Sequence, residues 1–303
     1  MGRAALIACD WGTTNLRAWT LDAEGRPLQH REFPFGVSTL KPGEAADRFT
    51  EVQAALAAEN LPAILCGMVG SNLGWQVAPY VDCPADLADV GEAMIEVVPG
   101  VRIAPGLRTR GIGGAPDVMR GEETQVLGWL SQHVERRHGR HVILHPGTHA
   151  KWVVVEDGRI TRFVTVMTGE LFSVLRRHSV LRDDAEPDDA AAFDLGVAAA
   201  GDGGALAARL FTARGRVVGG GRPASETPSY LSGLLIGAEL AGAPALLGLS
   251  THHSVNLLGD AALCARYARA LQARSVIYQT YDGEEAAVAG LFALHRTEAS
   301  HDA

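Results

Sequence analysis

With 303 residues, 47% of them apolar and 20% charged, the chain carries enough hydrophobic material for one large or two medium globular domains. A net charge of −8 without any Lys/Arg cluster argues against a nucleic-acid partner, and no apolar run nears the roughly 20 residues that cross a bilayer. The four cysteines, Cys9, Cys66, Cys83 and Cys264, are scattered with no C-x-x-C pair, and the apolar stretch at the N-terminus is too short for a signal peptide, so a reducing, cytoplasmic setting is expected.

In chain order, residues 5–10 read as a buried strand. Residues 16–21 form a second after a Gly-Thr-Thr turn, and 28–33 a third after the turn Asp22-Ala23-Glu24-Gly25. Phe49, Val52 and Leu56 recur at helical spacing and predict a helix over 43–58. A strand follows at 62–68. The segment 70–117, rich in glycine and proline, reads as irregular, and 120–137 as a helix. The pattern then restarts with strands at 141–145, 151–155 and 160–167 around the turns Pro146-Gly147-Thr148 and Asp157-Gly158. Helices are expected at 170–178, 188–199, 203–213 and 229–242. A strand at 254–258, a helix at 260–273, a strand at 275–279 and a helix at 284–296 complete the chain. The acidic stretch 183–189 reads as a solvated loop. Gly219-Gly220-Gly221 has no Lys-Ser/Thr after it and is not a P-loop.

The restart is an internal repeat. DWGTTNLRAWTLDAEGR from Asp10 and HPGTHAKWVVVEDGR from His145 both run strand, Gly-Thr, strand, acid-Gly-Arg. Gly12 and Gly25 lie 13 positions apart and Gly147 and Gly158 lie 11 apart, a difference of two that preserves strand phase. Two copies of one unit point to two similar domains facing each other, with the boundary expected between residues 118 and 119.

Asp10-Trp11-Gly12-Thr13-Thr14-Asn15-Leu16-Arg17 carries the chemistry. A strand ends in a carboxylate, a glycine allows the backbone to approach an anion, and Thr13 and Thr14 offer hydroxyl and N–H groups to phosphate oxygens. Arg17 can pair with a terminal phosphate, and Asp10 can hold hydrated magnesium beside it. His149 and Lys151, just past the second Gly-Thr, either face anionic oxygen or, for Lys151, lie on the solvent side of a strand. His138, His141, His145 and His149 cluster in sequence, but strand phase and the absence of a nearby cysteine ligand argue against zinc. Ser71, Asn72 and Trp75 lie in a Gly-rich loop after a strand, where a ligand can bind. Trp75 suits packing equally well.

D-x-G-T-T-N-x-R resembles the first phosphate motif of the actin, chaperone and sugar kinase superfamily, and Gly147-Thr148 its second. Val255–Asp260, with Gly259, resembles the adenosine motif. The run from Glu284 to Gly290 resembles the closing helix near the nucleotide. M-V-G-S-N-L-G-W at 68–75, V-M-R-G-E-E-T-Q at 118–125, P-G-T-H-x-K-W at 146–152, V-M-T-G-E-L at 166–171 and L-S-G-L-L-I-G-A-E at 231–239 together are similar to the 2-dehydro-3-deoxygalactonokinase family, over nearly the whole chain. The resemblance implies an α/β fold of two ribonuclease H-like (actin-like ATPase) domains with a nucleotide cleft between them. It implies transfer of the γ-phosphoryl of ATP, with magnesium, to the terminal hydroxyl of a sugar acid. Glu122, after Gly121 at a helix start, matches the position of the catalytic acid in related kinases. Gly12, Thr13, Thr14, Asn15, Gly147, Thr148, Lys151, Gly259 and Glu284 would bind nucleotide; Ser71, Asn72, Trp75, Arg120 and His149 would bind the sugar acid. Pro146 departs from the superfamily, which often has an acid there, so magnesium would lean on Asp10 and the catalytic carboxylate. The acceptor's carboxylate has Arg120, Lys151 and the 70–75 loop as candidate holders.

A kinase of another sugar or sugar acid on the same fold is the nearest alternative. A nucleotide-driven chaperone or regulator would need an added peptide- or DNA-binding segment, which is not expected with the hairpin beginning at residue 5. The expected partners are ATP and a small sugar acid, with a homodimer left open.

Overall fold

Leu6–Trp11 (β1) is apolar at almost every position and is buried on both faces, the pattern of a strand inside a covered sheet. It pairs antiparallel with β2 (Leu16–Leu21), which pairs with β3 (Pro27–Phe33). After α1 (Ala45–Ala55) comes β4 (Ala63–Gly67), which lies parallel to β1. The computed structural model describes residues 2–249 and 253–299.

The segment 70–117 is not irregular. It holds β5 (Tyr80–Asp82), α2 (Leu87–Glu92), β6 (Ile95–Val98), β7 (Val101–Ile103) and β8 (Gly106–Arg110), and runs into β9 (Pro116–Met119). These strands are three to five residues long, too short for an alternation to stand out among turn residues. The first large sheet has the order β3-β2-β1-β4-β7-β6, and β5-β8-β9 form a small one. α3 (Glu122–Ser131) follows.

The second sheet repeats the plan. β10 (Arg140–His145), β11 (Ala150–Glu156) and β12 (Arg159–Val166) lead to α4 (Thr168–His178), α5 (Ala190–Ala200), α6 (Leu206–Val218) and α7 (Thr227–Leu246). β13 (Val255–Gly259), α8 (Ala261–Ala273), β14 (Tyr278–Asp282) and α9 (Gly283–Ala299) end the chain. The order β12-β11-β10-β13-β14, with β10 parallel to β13, matches the order of the first four strands of the first sheet. The duplicated motif thus extends to duplicated topology. The last strand sits three residues later than the spacing indicates, because Val276 and Ile277 precede it in the turn from α8. No helix among the described residues is long and apolar enough to cross a membrane.

By contacts the chain forms two units. One comprises the described residues of Met1–Arg140, Val155–Arg162 and Asp282–Ala303; the other comprises those of His141–Val154 and Phe163–Tyr281. The division differs from a boundary at 118/119: α3 and α9 belong to the first unit. The reason is packing that local sequence does not reveal. α1 covers one face of the first sheet, with Phe49, Val52 and Leu56 clustered on Ile7, Cys9 and Leu65. α9 covers β1 and β4 and packs against α3. In the second unit Trp152, Val154, Phe193, Ile236, Leu257 and Tyr267 share a core. Each such side chain contributes about 1.5–3 kcal/mol on burial.

α3 and α9 cross with backbones nearly touching. A Cβ at Gly128 would lie 1.9 Å from the Ala286 carbonyl oxygen, and one at Gly290 would lie 2.0 Å from that of Thr124. Gly128→Ala is therefore expected to destabilise the protein by about 1–3 kcal/mol despite alanine's better helix propensity. A lower urea midpoint at unchanged slope would register the loss; an unchanged midpoint would mean that the helices can separate without cost.

Candidate functional site

The first part of the site grows from strand phase. Odd-numbered residues of β1 face α1, so Asp10 points to the other face. In register, Asp10 sits opposite Arg17 on β2 and Cys66 on β4. Glu122 at the start of α3 and Glu284 at the start of α9 add negative charge to its surroundings, and Arg17 adds positive. Burial, aided by the two glutamates, raises the Asp10 pKa to about 6 despite Arg17 and a 3.9 Å contact from the Cys66 thiol. Gly67 and Gly121 permit this gathering. Both have positive φ, and a Cβ at Gly121 would sit 3.2 Å from the Gly67 Cα. The end of β4 and the head of α3 therefore meet beside Asp10.

The Gly12–Asn15 turn is held from behind. The carbonyls of Gly12, Thr13 and Thr14 accept N–H groups of Val37, Ser38 and Gly36, and Asn15 closes on the Gly12 N–H. Thr13, Thr14 and Asn15 remain exposed. Asn15 donates to Glu32 (3.0 Å), and Arg17 lies 3.7 Å from the same carboxylate.

Glu122 and Glu123 separate cleanly. Glu122 is half-buried, and its Oε2 accepts the Arg120 N–H at 3.1 Å. Glu123 is fully buried; it accepts the Gly121 N–H at 2.7 Å and the Thr124 hydroxyl at 3.0 Å. Burial and the charge of Glu122 push its pKa up to about 8. Glu284 lies among acids and pairs with His30 at 3.4 Å, so it adds to the negative field rather than offering phosphate a cation.

In the 70–75 loop Asn72 and Leu73 are exposed. Ser71 is buried and its hydroxyl accepts the Leu73 N–H. Trp75 is half-buried and packs on Phe49 with ring centroids 5.6 Å apart. Arg120 is buried behind the loop. It stacks on Tyr80 at 4.4 Å, donates to the Ala78 carbonyl at 2.8 Å, and sets Nη1 against Gly70. Its Nε and Nη1 have no hydrogen-bond partner among the described residues.

The second unit holds the other turn. Thr148 and His149 are exposed, and the Thr148 carbonyl accepts the Glu170 N–H of α4. His149 Nε2 meets Glu170 Oε2 at 2.5 Å. Lys151 is 4% exposed, so it is not on a solvent side; its Nζ lies 3.4 Å from the His149 carbonyl. Gly259, with positive φ, ends β13 against Pro146. A cavity of about 190 Å³ opens beside the turn, lined by Gly147, Thr148, Thr168, Leu235, Arg266 and Tyr267 among others.

Residues 10–294 match the family model of 2-keto-3-deoxy-galactonokinase. The chain belongs to the 2-keto-3-deoxy-galactonokinase family. It is 39% identical over 299 residues to a Rhizobium meliloti (strain 1021) protein assigned as a 2-dehydro-3-deoxygalactonokinase, covering 95% of this chain and 96% of that one. To the 2-dehydro-3-deoxygalactonokinase of Escherichia coli (strain K12) it is 37% identical over 290 residues, with the same coverage. A crystal structure of a Sinorhizobium meliloti protein described as such a kinase superposes with a TM-score of 0.85 at 37% identity, over 96% of this chain and 98% of that one. A carbohydrate kinase from Novosphingobium aromaticivorans shares the fold, at a TM-score of 0.50, 14% identity, and 98% and 92% coverage. The chain thus has the two-domain α/β architecture, a central sheet with surrounding helices in each, consistent with the actin-like ATPase superfamily.

Three residues near the family's motifs escape sequence reading: Cys66, Glu170 and Glu239. Only Glu239 leaves a signal, as the single charged residue in the 20-residue α7; an acid in so apolar a helix must find buried partners.

Proposed function

We propose that this chain transfers the γ-phosphoryl group of ATP to the terminal hydroxyl of 2-dehydro-3-deoxy-D-galactonate, giving the 6-phosphate in galactonate catabolism. The family match across residues 10–294 carries this reading, and the Asp10–Arg17–Glu122 grouping supports it. Each unit is taken as ribonuclease H-like, and the two Gly-Thr hairpins grip one ATP. The enzyme is taken to work in the cytoplasm.

Asp10 suits magnesium. It stands in an excess of negative charge that a divalent cation would offset. No group of three His, Cys, Asp or Glu residues gathers as a metal site among the described residues, and magnesium commonly uses one or two carboxylates plus phosphates. When bound, the ion neutralises charge on the phosphates. Gly12, Thr13, Thr14 and Asn15 offer the first phosphate cradle, with Gly147 and Thr148 the second. Arg17 swings from Glu32 to the terminal phosphate. Lys151 lends positive charge from beneath the second turn, and Gly259 lets β13 end close to it. Glu284 would lie beside the nucleotide, where its charge, like that of Asp10, would favour a bound divalent cation.

Glu122 takes the proton of the attacking hydroxyl as the new O–P bond forms and the bond to the β-phosphate oxygen breaks, releasing ADP. Asn72 and His149 offer exposed polar groups to the sugar acid, Ser71 fixes the loop, and Arg120 supplies positive charge behind it for the acceptor's carboxylate.

Among acceptors, turnover is expected to require a 2-keto-3-deoxy acid with a free terminal hydroxyl. ADP release across a panel of epimeric acids and common sugars tests this. Better turnover of glycerol, xylulose or glucose would assign the chain to another kinase of the same fold.

A further inference from the structure

Glu239 is 4% exposed and has no cation beside it in its hydrogen-bond set. Its Oε1 accepts the Trp152 indole N–H at 2.9 Å. Its Oε2 accepts the Tyr267 hydroxyl at 2.7 Å and also the Thr168 hydroxyl. The carboxylate thus ties together β11, α4, α7 and α8. Burial raises its pKa, and the three donors oppose the rise.

An ionised carboxylate only accepts. Each hydroxyl has one proton, and toward an ionised Glu239 both hydroxyls act as donors. What Thr168 and Tyr267 retain for any other neighbour is their lone pairs. Both residues line the 190 Å³ cavity that also touches Gly147 and Thr148. The head of α4 is fixed against the same turn: a Cβ at Gly169 would lie 2.5 Å from the Gly147 carbonyl oxygen. The cavity volume suits part of a nucleotide, not the whole of one.

We propose that Glu239 is a positioning residue that makes the Thr168 and Tyr267 hydroxyls hydrogen-bond acceptors toward this cavity, so that the enzyme selects its nucleoside by a donor group, either the exocyclic amine of the base or a ribose hydroxyl. The inference rests on the proposed kinase reading, in which the Gly147-Thr148 turn holds phosphate. It assigns selectivity to a carboxylate that need not touch the nucleotide. An amide at position 239 would instead donate as well as accept. It would let the hydroxyls reverse and present a donor to the cavity.

The test compares kcat/KM for ATP, inosine triphosphate and 2′-deoxy-ATP in the wild-type enzyme, Glu239→Gln, Thr168→Val and Thr168→Ser. Inosine triphosphate replaces the amine by a carbonyl, and 2′-deoxy-ATP lacks a ribose hydroxyl. Wild type should prefer ATP over at least one analogue. Glu239→Gln and Thr168→Val should shrink that preference by about tenfold, the worth of one hydrogen bond. Thr168→Ser should keep it, and the KM for the sugar acid should stay unchanged. The analogue whose ratio moves identifies the donor. General loosening of the core would weaken all three nucleotides alike. If Glu239→Gln does not fold, Thr168→Val carries the test alone. Wild-type ratios retained in the folded variants would overturn the inference. Should wild type lack phosphoryl transfer to the acid, the kinase assignment fails, and calorimetric affinities for the same three nucleotides decide the selectivity claim separately.

Discussion

Asp10→Asn is expected to lower kcat by at least about a hundredfold, the scale on which a single charge-stabilising group acts, while leaving the protein folded. The side chain keeps its size and its place between Arg17 and Cys66, but the amide cannot hold a divalent cation as a carboxylate does. The stability sign separates this loss from misfolding. Asp10 has its pKa raised from 3.8 to about 6 in the folded chain. Between those values the folded protein binds more protons than the unfolded chain, so this group lowers stability as pH rises through that window. Asn removes the effect, and the variant should melt no lower than wild type at neutral pH without metal. Near-normal turnover at saturating magnesium would contradict the assignment of Asp10.

Glu122→Gln is expected to lower kcat by at least about a hundredfold, within the usual range for a general base, with little change in ATP affinity. Glu123→Gln should do far less. The two acids are adjacent on α3, where successive side chains diverge by about 100°. Glu122 is accessible and close enough to Asp10 to influence it; Glu123 is shut away under Gly121 and Thr124. Burial and Glu122 hold Glu123 at a pKa of about 8 against an ordinary 4.5. That shift favours its protonated form at neutral pH and makes it a poor acceptor for the substrate's proton. Its raised pKa costs stability progressively as pH rises from 4.5 to about 8. Glu123→Gln, which mimics the protonated acid, should abolish that decline, whereas Glu122→Gln, which removes only the lesser of its two causes, should reduce it in part. Kinetics on both variants beside their melting curves from pH 4.5 to 8 check the pair. The reverse ranking of kcat would move the role to Glu123, and small effects from both would leave only charges at a helix N-terminus, worth about 0.3–1 kcal/mol.

The two Gly-Thr hairpins are legible because each is compressed into consecutive residues: the strand phase of Asp10 and the spacing of Gly12 to Gly25 survive in the sheet. The duplicated strand order followed from the same repeat. Hidden from the sequence were relations between distant segments. Nothing local indicates that α9 returns to β1 and β4, so the contact-based boundary moved past α3. Lys151 reads as a strand residue of either face until the sheet buries it, and Trp75 needed Phe49 to fix its place in the core. Short strands between Tyr80 and Met119 vanish among turn residues. Glu239 stands out by composition, yet its three donors come from positions 152, 168 and 267, which no spacing connects.

The measurement that bears most directly on the whole account is product identification by phosphorus and carbon NMR. Purified enzyme would be supplied with ATP, magnesium and 2-dehydro-3-deoxy-D-galactonate. The account predicts a phosphate ester at the terminal carbon, formed in step with ADP and absent when Glu122→Gln replaces the wild-type enzyme. ADP and free phosphate without an ester, or an ester at another hydroxyl, would contradict it.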